Sequence, residues 1–123
     1  MNIAIDFDGT LVSHQYPYIG KDIGAVPVVK KLIDNGHNII LNTMRSDKTL
    51  DEAVDWCKSK GIVLYGVNIN PTQRRWTKSP KVYADIYIDD AALGIPLFYD
   101  EEESRPYVDW SLVEILLKNK GLI

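Results

Sequence analysis

The sequence predicts an α/β fold in which helices cover both faces of a mostly parallel sheet. Short, almost wholly apolar segments alternate with segments of helical spacing, a pattern typical of β–α units joined by right-handed crossovers. Three of the apolar segments end in acidic or hydroxyl side chains. In a parallel sheet such strand ends lie along one edge, and ligands bind at that edge.

Length and composition favour one globular domain, residues 1–123. The chain is 46% hydrophobic and 25% charged, with a net charge of −3, close to globular averages. A mildly acidic chain is a poor general binder of polyanions, so broad nucleic-acid affinity is not favoured, although a local basic patch is compatible with this charge. The single cysteine, Cys57, excludes an internal disulfide and is expected in the core.

No targeting or membrane segment is evident in the sequence. No apolar run approaches the ~20 residues of a transmembrane helix. The first residues lack a basic region followed by a long apolar core, the pattern of a signal peptide. We therefore expect a cytoplasmic protein without a membrane partner.

The first strand, Ile3–Ile5, is apolar enough to be buried on both sides and ends at Asp6 and Asp8. Side-chain direction in a strand has a period of two, so both carboxylates are expected on the same side. Gly9 would permit a turn there. Two nearby carboxylates repel unless a cation or a shared proton lies between them. A metal site, an acid–base pair or both are predicted.

Residues 11–24, here called the flap, form a connection longer than the ~2–6 residues usual between a strand and a helix. Such loops beside strand ends are often functional. Tyr16 and Tyr18 are candidates for the rim of a site, whereas His14 is expected to be a surface residue rather than a substrate ligand.

The remaining elements follow from periodicity and from helix start and stop signals. A helix is expected from Ala25, with Pro27 in its first turn and Asn35-Gly36 at its end. The further predictions, in order, are a strand Ile39–Leu41 ending at Thr43, a helix opened by a capping box Thr49–Glu52, a strand Ile62–Tyr65, an irregular basic loop 66–81, a strand Val82–Ile88 ending in Asp89-Asp90, a short strand Leu97–Phe98, a solvated acidic run 100–103 and a helix starting near Asp109.

Four motifs in this order resemble those of the haloacid dehalogenase superfamily of phosphatases and phosphotransferases. The first is Asp6-Phe7-Asp8-Gly9-Thr10, and the second is a strand ending in Thr43. The third, a lysine ahead of the fourth strand, is best matched by Lys81, with Lys78 as the alternative. The fourth is a strand ending in Asp89-Asp90. The resemblance covers residues 1–93 and implies a three-layer, Rossmann-like fold.

The resemblance also implies roles for these residues. Asp6 would be the nucleophile that forms an aspartyl-phosphate, and Asp8 the general acid and then the general base. Thr43 and Lys81 would bind the phosphoryl group, with Lys81 stabilising the transition-state charge. Mg²⁺ would be held by Asp6, the Asp8 carbonyl and Asp89. Asp90 would either orient these ligands or bind the ion through a water.

A cation is also expected from Coulomb energies alone. Each pair of like unit charges 4 Å apart costs ~4 kcal/mol at an effective dielectric of about 20. Asp6, Asp89 and a phosphate dianion would add several such terms. Mg²⁺ suits the site because it prefers oxygen ligands and retains waters.

The chain has no room for the cap domain that covers the site in many members of the superfamily. The site is therefore expected to be open, unless the flap or a neighbouring subunit covers it. An open site favours a large phosphorylated substrate or low selectivity. Arg45 is a candidate for binding a second anionic group, and the run 73–78 clusters three cations around Trp76. That run is expected to be solvated with Trp76 folded onto the core, or else to bind phosphate and stack on a base.

The leading functional prediction is a Mg²⁺-dependent phosphomonoester hydrolase. One alternative is a phosphotransferase or a phosphatase that processes nucleic-acid ends, which the absent cap and the basic loop favour. Another is a binding or regulatory module that keeps the fold without physiological turnover. The sequence names neither the substrate nor the oligomeric state.

Overall fold

The computed structural model describes residues 1–123 and contains a four-stranded sheet, a two-stranded sheet and three α-helices. The elements, in chain order, are β1 Asn2–Ile5, α1 Ala25–Asp34, β2 Asn38–Leu41, α2 Asp47–Ser59, β3 Gly66–Val67, β4 Ile86–Ile88, β5 Leu97–Phe98, β6 Tyr107–Val108 and α3 Trp110–Asn119.

The larger sheet is parallel throughout and has the order β3-β2-β1-β4. β1 lies between β2 and β4, with Ile5 paired to Leu41 on one side and to Ile88 on the other. Ile3–Ile5 of β1 and Ile39–Leu41 of β2 are apolar because they are buried on both faces of the sheet. This confirms the predicted parallel sheet and aligns the ends of β1, β2 and β4 at one edge.

The three α-helices pack against one face of the sheet. Ile3, Ile5, Ile39 and Leu41 share a core cluster with buried residues of α1, α2 and α3. The opposite face, formed by Ala4 and Ile40, contacts Val82. The chain between β3 and β4 crosses that face with only a short 3₁₀ turn, Gln73–Arg75. The expectation of helices on both faces is therefore wrong, since prolines at 71 and 80 interrupt this crossover.

Two predicted strands have different bounds in the structure. Residues 62–65 are not a strand, because Ile62 closes the end of α2 by donating its N–H to the Cys57 carbonyl at 2.9 Å. Val63 is 72% exposed, and hydrogen bonding to β2 starts only at Tyr65, whose N–H donates to the Ile39 carbonyl at 2.7 Å ahead of Gly66. The strand predicted over Val82–Ile88 is limited to Ile86–Ile88, since the residues before it turn across the sheet face.

The helix starts were predicted with mixed success. α1 and α3 begin as expected, and the Asp109 carboxylate caps α3 by accepting the N–H groups of Ser111 and Leu112 at 3.1 and 3.2 Å. α2 begins at Asp47 rather than after a capping box at Thr49. The Thr49 hydroxyl donates to the Ser46 carbonyl at 2.8 Å and so lies within the first turn.

The C-terminal part adds a small antiparallel hairpin. The predicted strand Leu97–Phe98 is confirmed, and it pairs with Tyr107–Val108, which the sequence did not indicate. The hairpin is joined to the loop that follows β1, because the Val108 N–H donates to the Gly9 carbonyl at 2.9 Å.

None of the helices could span a bilayer. The longest, α2, has 13 residues, well short of the ~20 that a transmembrane helix needs. No helix of the protein combines the length and the apolar character that a membrane span requires.

Candidate active site

A cavity of about 600 Å³ opens at the edge where β1, β2 and β4 end. Its lining includes all the predicted strand-end side chains, namely Asp6, Asp8, Thr43, Arg45, Asp89 and Asp90. The flap and the C-terminal hairpin supply the rest of the wall, together with Met44 and Ala91 beside the strand ends. The predicted convergence of residues from three strands is therefore confirmed.

Three carboxylates crowd together on the floor of the cavity. Oxygen atoms of Asp6, Asp89 and Asp90 all lie within 4.8 Å of one another. Thr10 fixes their arrangement, since its buried hydroxyl donates to Asp6 Oδ2 and accepts the Asp90 N–H, each at 3.0 Å. An all-oxygen donor set of this kind fits a small hard cation such as Mg²⁺.

The crowding shifts the acidity of two of these groups. Burial, followed by the Asp89 charge and a hydrogen bond with Asp90, raises the pKa of Asp6 from 3.8 to about 8. Burial, followed by Asp90, also raises the pKa of Asp89, although the Ala91 N–H opposes the shift. Carboxyls with shifted pKa values in a cleft are typical of functional sites. Holding several carboxyls close together away from water costs folding free energy, and packing a core does not need such an arrangement.

Gly9 makes the turn that brings Asp6 and Asp90 together. Its φ of +79° lies in the left-handed region, as the sequence predicted. A Cβ at this position would also lie 2.9 Å from Asp90 Cγ. Any larger residue would therefore displace the carboxylate from the cluster.

Asp8 belongs to a different environment, because it is paired with Arg45. The guanidinium donates from Nε to Asp8 Oδ2 and from Nη2 to Oδ1, both at 2.8 Å. The pair is largely buried, with the Arg45 side chain 1% and the Asp8 side chain 13% exposed. A bidentate, buried pair of this geometry is a strong positional constraint.

Arg45 has no hydrogen-bond donor left for a ligand. Its other N–H groups donate to the carbonyls of Pro17, Thr49 and Tyr18, at 3.3, 3.1 and 2.8 Å. All five guanidinium N–H groups are thereby used. The prediction that Arg45 reaches a second anionic group is not supported by this arrangement. Instead, Arg45 joins Asp8 to the flap.

Aromatic rings enclose the same guanidinium. Arg45 Cζ lies 4.9 Å from the centroid of the Phe7 ring and 5.2 Å from that of Tyr16. Tyr16 lines the cavity as expected, whereas Tyr18 is 76% exposed and contributes only its carbonyl. The tip of the flap is therefore held beside the site by Arg45.

Thr43 lies in the cavity as predicted. Its hydroxyl accepts the Arg45 N–H at 3.1 Å, and its own N–H donates to Asn68 Oδ1 at 2.8 Å. The hydroxyl retains its hydrogen for a ligand oxygen. Asn68, at a left-handed φ of 55°, thus joins the basic loop to the end of β2.

Neither predicted lysine reaches the cavity. Lys81 Nζ lies 5.5 Å from the Tyr87 ring centroid, and Lys78 lines a separate depression formed by the basic loop. The crossover ahead of β4 contains a 3₁₀ turn and no α-helix, and neither lysine is among the residues that line the cavity. The structure therefore corrects the placement of Lys81 and of its alternative, Lys78.

Sequence reasoning missed Arg105 and underrated His14. Both line the cavity, and Arg105 Nη1 lies 3.0 Å from His14 Nε2. Arg105 stands in the loop between β5 and β6, where no motif marks it. The only signal was the position of His14 in an unusually long loop beside a strand end.

The basic loop is ordered but its charges are exposed. The buried Gln73 amide donates to the carbonyls of Ser79 and Lys81, at 3.1 and 2.6 Å. Trp76 is 63% exposed, with its ring edge-to-face against Tyr83. The expectation that Trp76 folds onto the core is wrong, and Val82 is the residue after this loop that covers the second face of the sheet.

Neither a protein-family model nor a curated protein matches the chain. Among solved structures, the chain is similar to that of a conserved protein coded by a locus from Bacteroides thetaiotaomicron. The two are 38% identical, with a TM-score of 0.81, over 98% of this chain and 91% of the other. The chain belongs to the family of that conserved protein. The likeness supports the α/β fold as described.

Proposed function

We propose that the protein is a Mg²⁺-dependent phosphomonoester hydrolase that acts through an aspartyl-phosphate on Asp6. The observation that carries this proposal is the placement of Asp6 among Asp89 and Asp90, with Asp8 in the same cavity. It is the arrangement that the resemblance to haloacid dehalogenase phosphatases implies. The parallel sheet and the ligand-binding edge are consistent with it.

Asp6 and Asp89 would hold the metal together with Asp90, which has an oxygen within 4.8 Å of theirs, and with the Asp8 carbonyl that the resemblance implies. A bound Mg²⁺ supplies positive charge that offsets the crowded carboxylates and the phosphate. Burial first, and then the neighbouring carboxyls, raise the pKa values of Asp6 and Asp89, so a bound cation would favour their ionised forms. Oxygen-only donors, held by Thr10 and by backbone N–H groups, match the preference of this cation.

Asp6 would attack the phosphorus atom as a carboxylate. A bond forms between an Asp6 oxygen and phosphorus, and the bond from phosphorus to the ester oxygen breaks. The Thr10 hydroxyl, which donates to Asp6 Oδ2, restricts the rotation of the carboxylate. Holding the nucleophile in one orientation lowers the entropic part of the barrier.

Asp8 would move the protons. It donates one to the departing ester oxygen and then accepts one from the water that hydrolyses the aspartyl-phosphate. In the structure both Asp8 oxygens accept N–H groups from Arg45. Each Asp8 oxygen keeps a second lone pair, which can carry the transferred proton in both steps without opening a hydrogen bond to Arg45.

Hydrolysis of an aryl phosphate with Mg²⁺ tests the proposal. The Asp6→Asn variant should lose roughly 10³-fold or more in kcat while keeping its circular dichroism spectrum, because the amide cannot form the intermediate. Asp34→Asn, an exposed acid at the end of α1, is the matched control and should retain full activity. Full activity of Asp6→Asn would exclude the mechanism.

A second candidate, processing of phosphorylated nucleic-acid ends, is favoured by the basic loop. The loop holds four cations and no acidic residue, and none of the four forms a salt bridge. Asn68 connects the loop to Thr43 in the cavity. Faster turnover of a 3′- or 5′-phosphorylated oligonucleotide than of small phosphate esters would support this candidate. Absence of turnover on every phosphate ester would instead favour a binding module.

A further inference from the structure

Arg105 is the cation that the cavity leaves available. It is exposed in the loop between β5 and β6, and its one hydrogen bond joins Nη1 to His14 Nε2 at 3.0 Å. Because arginine only donates, Nε2 of His14 must be the acceptor. The other guanidinium N–H groups of Arg105 have no partner in the protein.

The charges lining the cavity point to the same residue. Four carboxylates and two guanidinium groups face it. Arg45 uses all its N–H groups within the protein, with two of them on Asp8. A ligand anion that enters the cavity therefore finds Arg105 as the arginine with free donors, and a planar guanidinium suits carboxylate and phosphate oxygens.

The loop that carries Arg105 is anchored on both sides. Asp100 at its start accepts hydrogen bonds from Lys21 of the flap at 2.6 Å and from Tyr107 at 3.0 Å. At its end, Val108 donates to the Gly9 carbonyl. The hydrogen bond between Arg105 and His14 joins this loop to the flap, and both side chains line the same cavity.

We propose that Arg105, positioned by His14, binds a second anionic group of the substrate, separate from the phosphoryl group at Asp6. The inference rests on the proposed phosphatase function and names its substrate class: phosphate esters that also carry a carboxylate or a second phosphate. A cavity of about 600 Å³ is large enough for a small ester with such a group. The apolar side chains of Tyr16 and Leu97 would contact the part of the substrate between the two anions.

Matched substrates test this inference. Phenyl phosphate, carboxyphenyl phosphate and a phenylene bisphosphate differ only in the second group. Arg105→Met should lower kcat/KM about 10- to 100-fold for the two substrates that carry a second anionic group and less than about threefold for phenyl phosphate. Arg105→Lys should recover part of the loss, and Lys120→Met, a remote exposed cation, should cause none. Comparing the two substrates with a second anionic group separates carboxylate from phosphate recognition.

Equal losses on all three substrates would place Arg105 on the phosphoryl group and overturn the inference, as would no loss on any. A binding measurement keeps the test independent of turnover. Titration calorimetry of carboxyphenyl phosphate with Asp6→Asn should give a Kd about tenfold lower than with Asp6→Asn/Arg105→Met. If the wild type is inactive but these two variants still differ in Kd, the phosphatase function alone is refuted. Equal Kd values would refute the anion contact itself.

Discussion

The acidic edge of the sheet and the basic loop carry charges of opposite sign, and they differ in their exposure to water. At the acidic edge, Asp6, Asp89 and Asp90 are crowded within 4.8 Å and partly withdrawn from water. In the basic loop, Arg74, Arg75 and Lys78 are exposed. Like charges in water repel weakly, whereas like charges in a half-buried cluster repel strongly.

The difference shows which charges are evidence of a ligand. The acidic cluster destabilises the protein unless something offsets it, and the raised pKa of Asp6 expresses that cost. The basic loop has no comparable cost, because solvent and salt screen its side chains. Crowded carboxylates therefore support a site, whereas exposed cations are compatible with a solvated surface as well as with a polyanion.

Removing Arg45 should give the largest effect, because it would leave a carboxylate at the acidic edge without its partner. Arg45→Met should lower the free energy of unfolding by about 3–5 kcal/mol, the usual range for breaking a buried ion pair. Urea denaturation followed by tryptophan fluorescence measures this loss.

The matched control for Arg45 is the double variant Arg45→Met/Asp8→Leu, in which no charge remains unpaired. It should recover a substantial part of the lost stability. A loss below about 1 kcal/mol in Arg45→Met would show that Asp8 is solvated, contrary to its low exposure. The contrast between the two regions would then be weaker than the structure indicates.

Magnesium should stabilise the protein more at high pH than at low pH. The pKa of Asp6 is raised from 3.8 to about 8 in the folded protein. Without metal, the free energy of unfolding should therefore fall as the pH rises from about 4 through about 8, since ionisation is unfavourable only in the folded state. Mg²⁺ at 100 times its Kd should add about 2.7 kcal/mol at pH 8.

At pH 5.5 bound protons compete with the metal, so the same Mg²⁺ concentration should stabilise the protein less. Thermal unfolding with and without Mg²⁺ at both pH values measures the difference. Asp89→Asn should lose most of the stabilisation and should be more stable than wild type without metal. An identical Mg²⁺ effect at both pH values would place the cation elsewhere.

The smallest effect is expected in the basic loop. Arg74→Ala/Lys78→Ala should change the free energy of unfolding by no more than about 0.5 kcal/mol, because neither charge has a partner in the protein. Hydrolysis of phenyl phosphate should be unchanged. A selective loss of oligonucleotide hydrolysis in this variant would show that the exposed cations form a binding surface, and it would favour the second candidate function.

The sequence was informative where local pattern and burial agree. Ile3–Ile5 and Ile39–Ile40–Leu41 form central strands because their residues are buried on both faces. Asp109 caps α3 because an N-cap acts only on neighbouring N–H groups. The turn at Gly9 was predictable for the same reason, since a left-handed φ favours glycine.

The strand predictions were wrong where an apolar residue packs against the core without being part of a strand. Ile62 packs at the end of α2, and Val82 covers the second face of the sheet. The partners of Arg45 and Arg105 were also unpredictable. Arg45 contacts Asp8 and the flap at 27 to 37 positions away, and Arg105 contacts His14 at 91 positions away, which no local spacing encodes. Lys81 was assigned by its order in the chain, and order does not determine side-chain direction.

Trp110 joins the two ends of the domain through one hydrogen bond. Its indole N–H donates to the Thr10 carbonyl at 2.6 Å, across 100 residues of chain. Thr10 in turn holds Asp6 and Asp90. During synthesis on a ribosome, the loop that positions the nucleophile therefore cannot be completed until residue 110 has emerged. Contacts of such long range also slow folding, so the site is expected to be among the last parts of the protein to form.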